Sequence, residues 1–121
     1  MRREKGVKAK RAPKVTYDLV RRLALELPSV EEGTSYGTAA LKVKGKLFVR
    51  LKEEGDAIVL RMSFEQREGL MADDPETYYI TDHYRDYPWV LVRLAAVRAD
   101  ALPDLLRAAH RAASPAGRLR D

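Results

Sequence analysis

The segment Thr81-Asp82-His83-Tyr84-Arg85-Asp86-Tyr87-Pro88-Trp89 is the densest run of chemically capable side chains in the sequence. The imidazole of His83 could serve as acid, base or ligand. Asp82, His83, Tyr84, Tyr87 and Trp89 together could line a pocket for a small molecule or a protein partner. The more ordinary alternative is that the imidazole bonds loop backbone while the tyrosines pack the loop down. A metal site needs several ligands, and His110 stands on a distant helix with no ligand spacing to His83. A Ser-His-Asp set would need Ser35, and no nucleophile-elbow pattern surrounds that serine. Gly33 and Gly37 are not followed by the Gly-Lys-Ser/Thr of a phosphate loop. The acidic pairs Glu31-Glu32 and Asp73-Asp74 are chain neighbours, whose side chains point apart on regular structure. No catalytic residue, cofactor or metal is therefore assigned, and the chain is read as non-enzymatic.

Such residues must be held by a fold, and composition bounds it. The chain has 121 residues, the length of one domain, and no cysteine, which removes disulfides and thiolate chemistry. No apolar run approaches the ~18 residues of a membrane helix, and the basic N-terminus lacks the apolar core of a secretory signal. A cytoplasmic protein is expected. The net charge of +5 is unevenly placed. Residues 1–14 carry seven basic side chains against Glu4, a net +6, so the rest of the chain is close to neutral. That arm is expected to stay disordered and to attract polyanions by counterion release, or else to act as a solubilising tail.

The domain is expected over residues 15–114, with 115–121 frayed. Thr16 should cap a helix to about Leu27, with Leu19, Val20, Leu23 and Leu27 as its apolar stripe and Pro28 ending it. Residues 29–38 read as loop or irregular strand. A meander follows, at Ala39–Val43, Leu47–Lys52 and Ala57–Met62. A three-residue loop Lys44–Lys46 would set Val43 opposite Leu47 and Leu41 opposite Val49. Leu41, Val43, Leu47, Val49, Leu51, Ile58, Leu60 and Met62 then share one face. A two-residue turn would place Lys46, Arg50 and Lys52 on that apolar face, a costly burial of charge. Ser63 and Gln66 should make a capping box on a second helix that ends before Asp74-Pro75. Residues 77–81 and 89–97 read as strands, and Asp100 as the cap of a last helix buried through Leu102, Leu105, Leu106, Ala109 and Ala113. The order α-β-β-β-α-β-β-α predicts an α+β fold: an antiparallel sheet with helices packed on one face.

The same register forecasts the other face. Lys42, Phe48, Arg50, Lys52, Val59, Arg61 and Arg93 should lie there with Trp89, and Lys44 and Lys46 at the hairpin tip. Cations hold phosphates while rings stack on unpaired bases, so this face is a candidate nucleic-acid surface. The alternative is a solvated face whose lysines discourage edge pairing.

Four stretches carry a family resemblance: Glu32–Thr38 (EGTSYGT), Val43–Phe48 (VKGKLF), Asp74–Tyr84 (DPETYYITDHY) and Tyr87–Val92 (YPWVLV). In their order they resemble the MmcQ/YjbR family of small bacterial proteins, over about Thr16 to Ala113. The resemblance implies a compact CyaY-like α+β fold. It also implies DNA binding through a double-wing arrangement of hairpins, here Leu41–Lys52, and it brings no catalytic residues. Frataxin-type members of the wider fold bind iron through acidic helices. The first helix here mixes Asp18 and Glu26 with Arg21 and Arg22, so iron binding is not carried over. DNA is accordingly the expected partner, with no membrane or metal. A binding module built on the Asp82–Trp89 loop is the alternative.

Overall fold

A computed structural model of the chain describes residues 15–114. The expectations for the arm at 1–14 and the tail at 115–121 lie outside the described residues. The element order is α1 (Tyr17–Leu25), β1 (Val30–Ser35), β2 (Thr38–Val43), β3 (Lys46–Leu51), β4 (Ala57–Arg61), α2 (Phe64–Asp73), β5 (Tyr78–Tyr79), β6 (Trp89–Arg93) and α3 (Leu102–Ala113). Short 3-10 turns lie at Asp82–Tyr84 and Ala99–Ala101. The strands make one antiparallel sheet in the order β1-β2-β3-β4-β6-β5. The fold is α+β, with one strand more than the sequence reading foresaw.

That extra strand is β1, which pairs with β2 from Val30↔Val43 to Ser35↔Thr38. Its residues 31–34 are all exposed at the sheet edge, so no alternation of apolar and polar residues betrays it. Tyr36 and Gly37 join the two strands with φ of 54° and 80°, the signs of a type I′ turn.

The helix caps follow local chemistry. The Thr16 hydroxyl accepts from the Leu19 amide at 3.2 Å, and Ser63 Oγ from the Gln66 amide at 3.1 Å. Asp100 does not cap α3: it pairs with Arg98 at 2.7 Å, and a 3-10 turn leads into the helix instead. Pro103 sits in the first turn of α3, where no amide donor is missed.

The β2–β3 hairpin departs from the expected register. Its turn has two residues, Lys44 and Gly45, both at positive φ (50° and 85°), and sets Val43 opposite Lys46. Carried on regularly, that register would bury Arg50. A β-bulge prevents it: Leu41 still faces Val49, while Lys42 faces Leu47, leaving Phe48 as the extra residue. Phe48 turns into the core, fully buried, with its ring edge-on to His110 of α3 at 5.8 Å between centroids. Leu47 takes the place on the opposite face that Phe48 was expected to hold. Beyond the bulge the pairing is as expected, with Leu51 opposite Ile58.

The main core lies between the sheet and helices α1 and α3. It joins Leu41, Val43, Phe48, Val49, Ile58, Leu60, Val90 and Val92 to Val20, Ala24, Leu102, Leu106, Ala109 and Ala113. Helix α2 packs beside β5 and β6. At the foot of α1, Tyr17 is half-buried, and burial, with Glu32 adding and Arg21 opposing, pushes its phenol up to about 12. The folded pKa exceeds the unfolded one. The neutral phenol therefore favours the fold fully below pH 10, and this contribution fades as pH rises from about 10 to about 12. Tyr17→Phe should leave stability unchanged at pH 8 and lose less than the parent between pH 10 and 12. The gap should be about 1 kcal/mol once partial exposure is discounted, measured by urea unfolding across that range. Parallel curves for the two chains would refute it.

Candidate functional site

The second sheet face is covered in its middle. Ala40, Ala57, Val59 and Leu91 are buried there, and Val59 shares a cavity with residues of the 82–88 loop. Register aligns them in rows: Ala40↔Arg50, Arg50↔Val59 and Val59↔Leu91 form one, Arg61↔Trp89 the next. Over these rows lies a pocket of about 290 Å³ lined by Tyr36, Leu47, Arg50, Val59, His83, Tyr84, Tyr87 and Trp89. A shallower recess continues past Arg50 toward Lys52, Glu53 and Thr81.

Two guanidinium groups hold the walls. Arg50 is 5% exposed. Its Nη2 donates to the Tyr84 hydroxyl at 2.7 Å, and its Nη1 reaches Glu53 Oε2 and the Leu51 carbonyl at 3.3 Å and Thr38 Oγ1 at 3.4 Å. It also lies 5.3 Å from the Tyr36 ring centroid. Arg50 thereby ties the β1–β2 turn to the loop across the sheet. Its partner Glu53 is held below the usual carboxylate range, first by its own backbone amide and then by Arg50.

Arg67 of α2 supports the loop from beneath. It is 4% exposed, and it donates to the carbonyls of Tyr84 (3.0 Å), Arg85 (3.1 Å), Tyr87 (2.8 Å) and Trp89 (3.2 Å). Its Nε lies 3.5 Å from Glu68 Oε2, out of line for a hydrogen bond. The Phe64 ring flanks the guanidinium at 4.8 Å.

The residues expected to bind nucleic acid do not form one open platform. Phe48 is in the opposite core, because the two-residue turn sets it on the face of Val43. Arg50 is buried and engaged as described. Lys52 is ion-paired with Glu54. Arg61 spends Nε on the Leu47 carbonyl (2.8 Å) and stacks 4.6 Å over Trp89. Arg93 is exposed, bonded to the Glu76 carbonyl and stacked at 4.0 Å on Tyr79. Lys42, Lys44 and Lys46 cluster at the hairpin end, and no ion pair engages them among the described residues.

Of the pocket residues expected from the loop, His83, Tyr84, Tyr87 and Trp89 do converge. His83 stands edge-on to Tyr84 at 4.7 Å. Asp82 does not line the cavity: it is exposed and paired with Arg85 at 2.6 Å. Val59 lies on this face as expected from the register, while Tyr36, Leu47 and Arg67 were not foreseen. Tyr36 alone left a trace, as a bulky residue before a turn glycine. Among the described residues no group of His, Asp and Glu is placed to hold a metal, and no helix is long and apolar enough to cross a membrane.

Comparison with known proteins supplies the remaining frame. A crystal structure of the Deinococcus radiodurans protein DR2400, of family-model domain DUF419, superposes with a TM-score of 0.71 over 90% of this chain and 89% of that one, at 24% identity. This likeness shows a shared fold. The uncharacterized proteins Mb2600 of Mycobacterium bovis and Rv2570 of Mycobacterium tuberculosis are each 42% identical over 53 residues, which is 43% of this chain. The match spans 41% of the length of those relatives. The YjbR family model matches residues 25–112, and the chain belongs to the YjbR family.

Proposed function

We propose that this protein is a non-catalytic binding module whose ligand enters the aromatic pocket between the β1–β2 turn and the 82–88 loop. One observation carries the reading. A concave site lined mainly by rings and aliphatic groups, with few polar ones, lies on the sheet face away from the main core. The lining suits recognition better than reaction. Arg50, the fixed charge in the pocket wall, is committed to structural partners, and His83 meets rings rather than a carboxylate that would orient it. The test is a fragment screen read by NMR. Hits should shift the Trp89 indole together with Tyr36 and Tyr84 resonances. Hits confined to other surfaces would overturn the reading.

A second reading is DNA binding at the β2–β3 hairpin. It is favoured by Lys42, Lys44 and Lys46, which have no ion-pair partner among the described residues, at a tightly turned hairpin end, and by the double-wing expectation attached to the family resemblance. Combining Lys44→Asn with Lys46→Gln preserves the turn, since asparagine tolerates positive φ. If DNA contacts these lysines, the double variant should bind more weakly. The slope of log affinity on log salt should also flatten by roughly 1–2 units. Unchanged affinity and slope would remove the hairpin from any DNA interface.

A further inference from the structure

The lining of the pocket also selects a ligand class. Its walls are Tyr36, His83, Tyr84, Tyr87 and Trp89, with Leu47 and Val59 on the sheet beneath. At about 290 Å³ it stands at the small end of ligand pockets, room for one or two rings. Such a ring set could be an aromatic cage for an ammonium group. Here the cationic positions are already filled from within: Arg50 lies over Tyr36 and Arg61 over Trp89, at 5.3 and 4.6 Å. A cationic ligand would meet the Arg50 guanidinium in the pocket wall. No carboxylate lines the cavity; Glu53 meets Arg50 from the adjoining recess, with 56% of its side chain exposed. The Tyr84 hydroxyl accepts from Arg50, which leaves its own proton to donate.

Tyr36 points the same way. It is 81% exposed and holds φ at 54°, a conformation that asparagine or glycine adopts with less strain. So exposed a ring contributes little to any core, yet it stands at the rim of the pocket over Arg50. Strain kept at a ligand-facing position is a mark of function.

We propose that the pocket binds a small, free aromatic acid: a flat ring stacked among Tyr36, Tyr84, Tyr87 and Trp89, with an acid oxygen accepting from the Tyr84 hydroxyl, which the Arg50 guanidinium polarises from behind. The inference rests on the pocket reading above and adds the ligand's shape and charge. Trp89 is the one tryptophan of the chain and lines the site, so its fluorescence reports occupancy directly.

The experiment titrates the full chain with benzoate, cyclohexanecarboxylate and benzylammonium. Benzoate should shift the Trp89 emission saturably, with affinity about tenfold above that of cyclohexanecarboxylate, the value of stacking against more than one ring. Benzylammonium should bind more weakly than either. Tyr36→Asn should keep or raise the melting temperature and erase most of the benzoate preference. Equal binding of the two acids would overturn the ring. Preference for benzylammonium would overturn the acid. An oligothymidylate that moves Trp89 where benzoate does not would overturn the free acid and assign the pocket to a strand. In those cases fragments still reach Trp89 and the pocket reading survives. If no fragment reaches Trp89, that reading falls first.

Discussion

Arg67→Met is expected to lower stability by about 2–4 kcal/mol and to open the 82–88 loop, abolishing the pocket with it. The guanidinium is almost wholly withdrawn from water, and its charge is balanced chiefly by the dipoles of four loop carbonyls. Methionine keeps the length of the stem and removes every donor. The carbonyls of Tyr84, Arg85, Tyr87 and Trp89 must then find water, which they can do only if the loop lifts. For a domain of this size the loss corresponds to a fall in melting temperature of roughly 10–25 °C. Arg67→Lys should recover little, because an ammonium group has no planar fork to reach four acceptors. Thermal unfolding and amide exchange across residues 84–89 measure both parts. A variant within about 1 kcal/mol of the parent, with unchanged exchange in the loop, would show that Arg67 is incidental.

Why Arg67 escaped a reading of the sequence is instructive. In a helix such as Phe64–Asp73, an arginine among Glu65, Gln66 and Glu68 looks like part of a solvated face. Its burial is caused by a loop that begins some fifteen residues later, and helix periodicity carries no trace of that. The same holds for the pocket. Four of its members lie together at 83–89 and were legible as a cluster of rings and an imidazole. Tyr36, Leu47, Arg50 and Val59 come from strands and a turn, and meet that cluster only through sheet register. Fold class, the caps of α1 and α2, and the buried stripe of α3 rest on short-range patterns, and these were readable. Strand β1 was legible only as loop or irregular strand, because an edge strand with exposed glutamates needs no alternation. Arg50 shows the sharper limit. Parity correctly put it on the face away from α3, but parity says nothing of what covers that face. The structure covers it with Tyr84 and Tyr36, and Glu53 adds an ion pair from the side.

The reversal of Phe48 and Leu47 yields the second large effect. The expected three-residue loop would put Leu47 in the core and Phe48 on the outer face. The two-residue turn exchanges them, and the exchange can be weighed by truncation. Phe48→Ala removes a fully buried ring packed edge-on to His110 and should cost about 3–5 kcal/mol, cavity included. Leu47→Ala shortens a partly exposed side chain at the pocket floor and should cost about 1 kcal/mol. Urea unfolding of the two variants gives the comparison, and the reverse order would mean that solution favours the three-residue loop. The bulge explains how one hairpin meets two demands. Lys44-Gly45 needs a two-residue turn with both φ positive, and such a turn alone would carry Arg50 to the apolar side. One extra residue at Phe48 restores Val49 to Leu41 and returns Arg50 to the face where Tyr84 awaits it. The aromatic pocket therefore depends on a single irregularity in β3. An alteration that regularised that strand would bury Arg50 among leucines and dismantle the site, even with every pocket side chain still present.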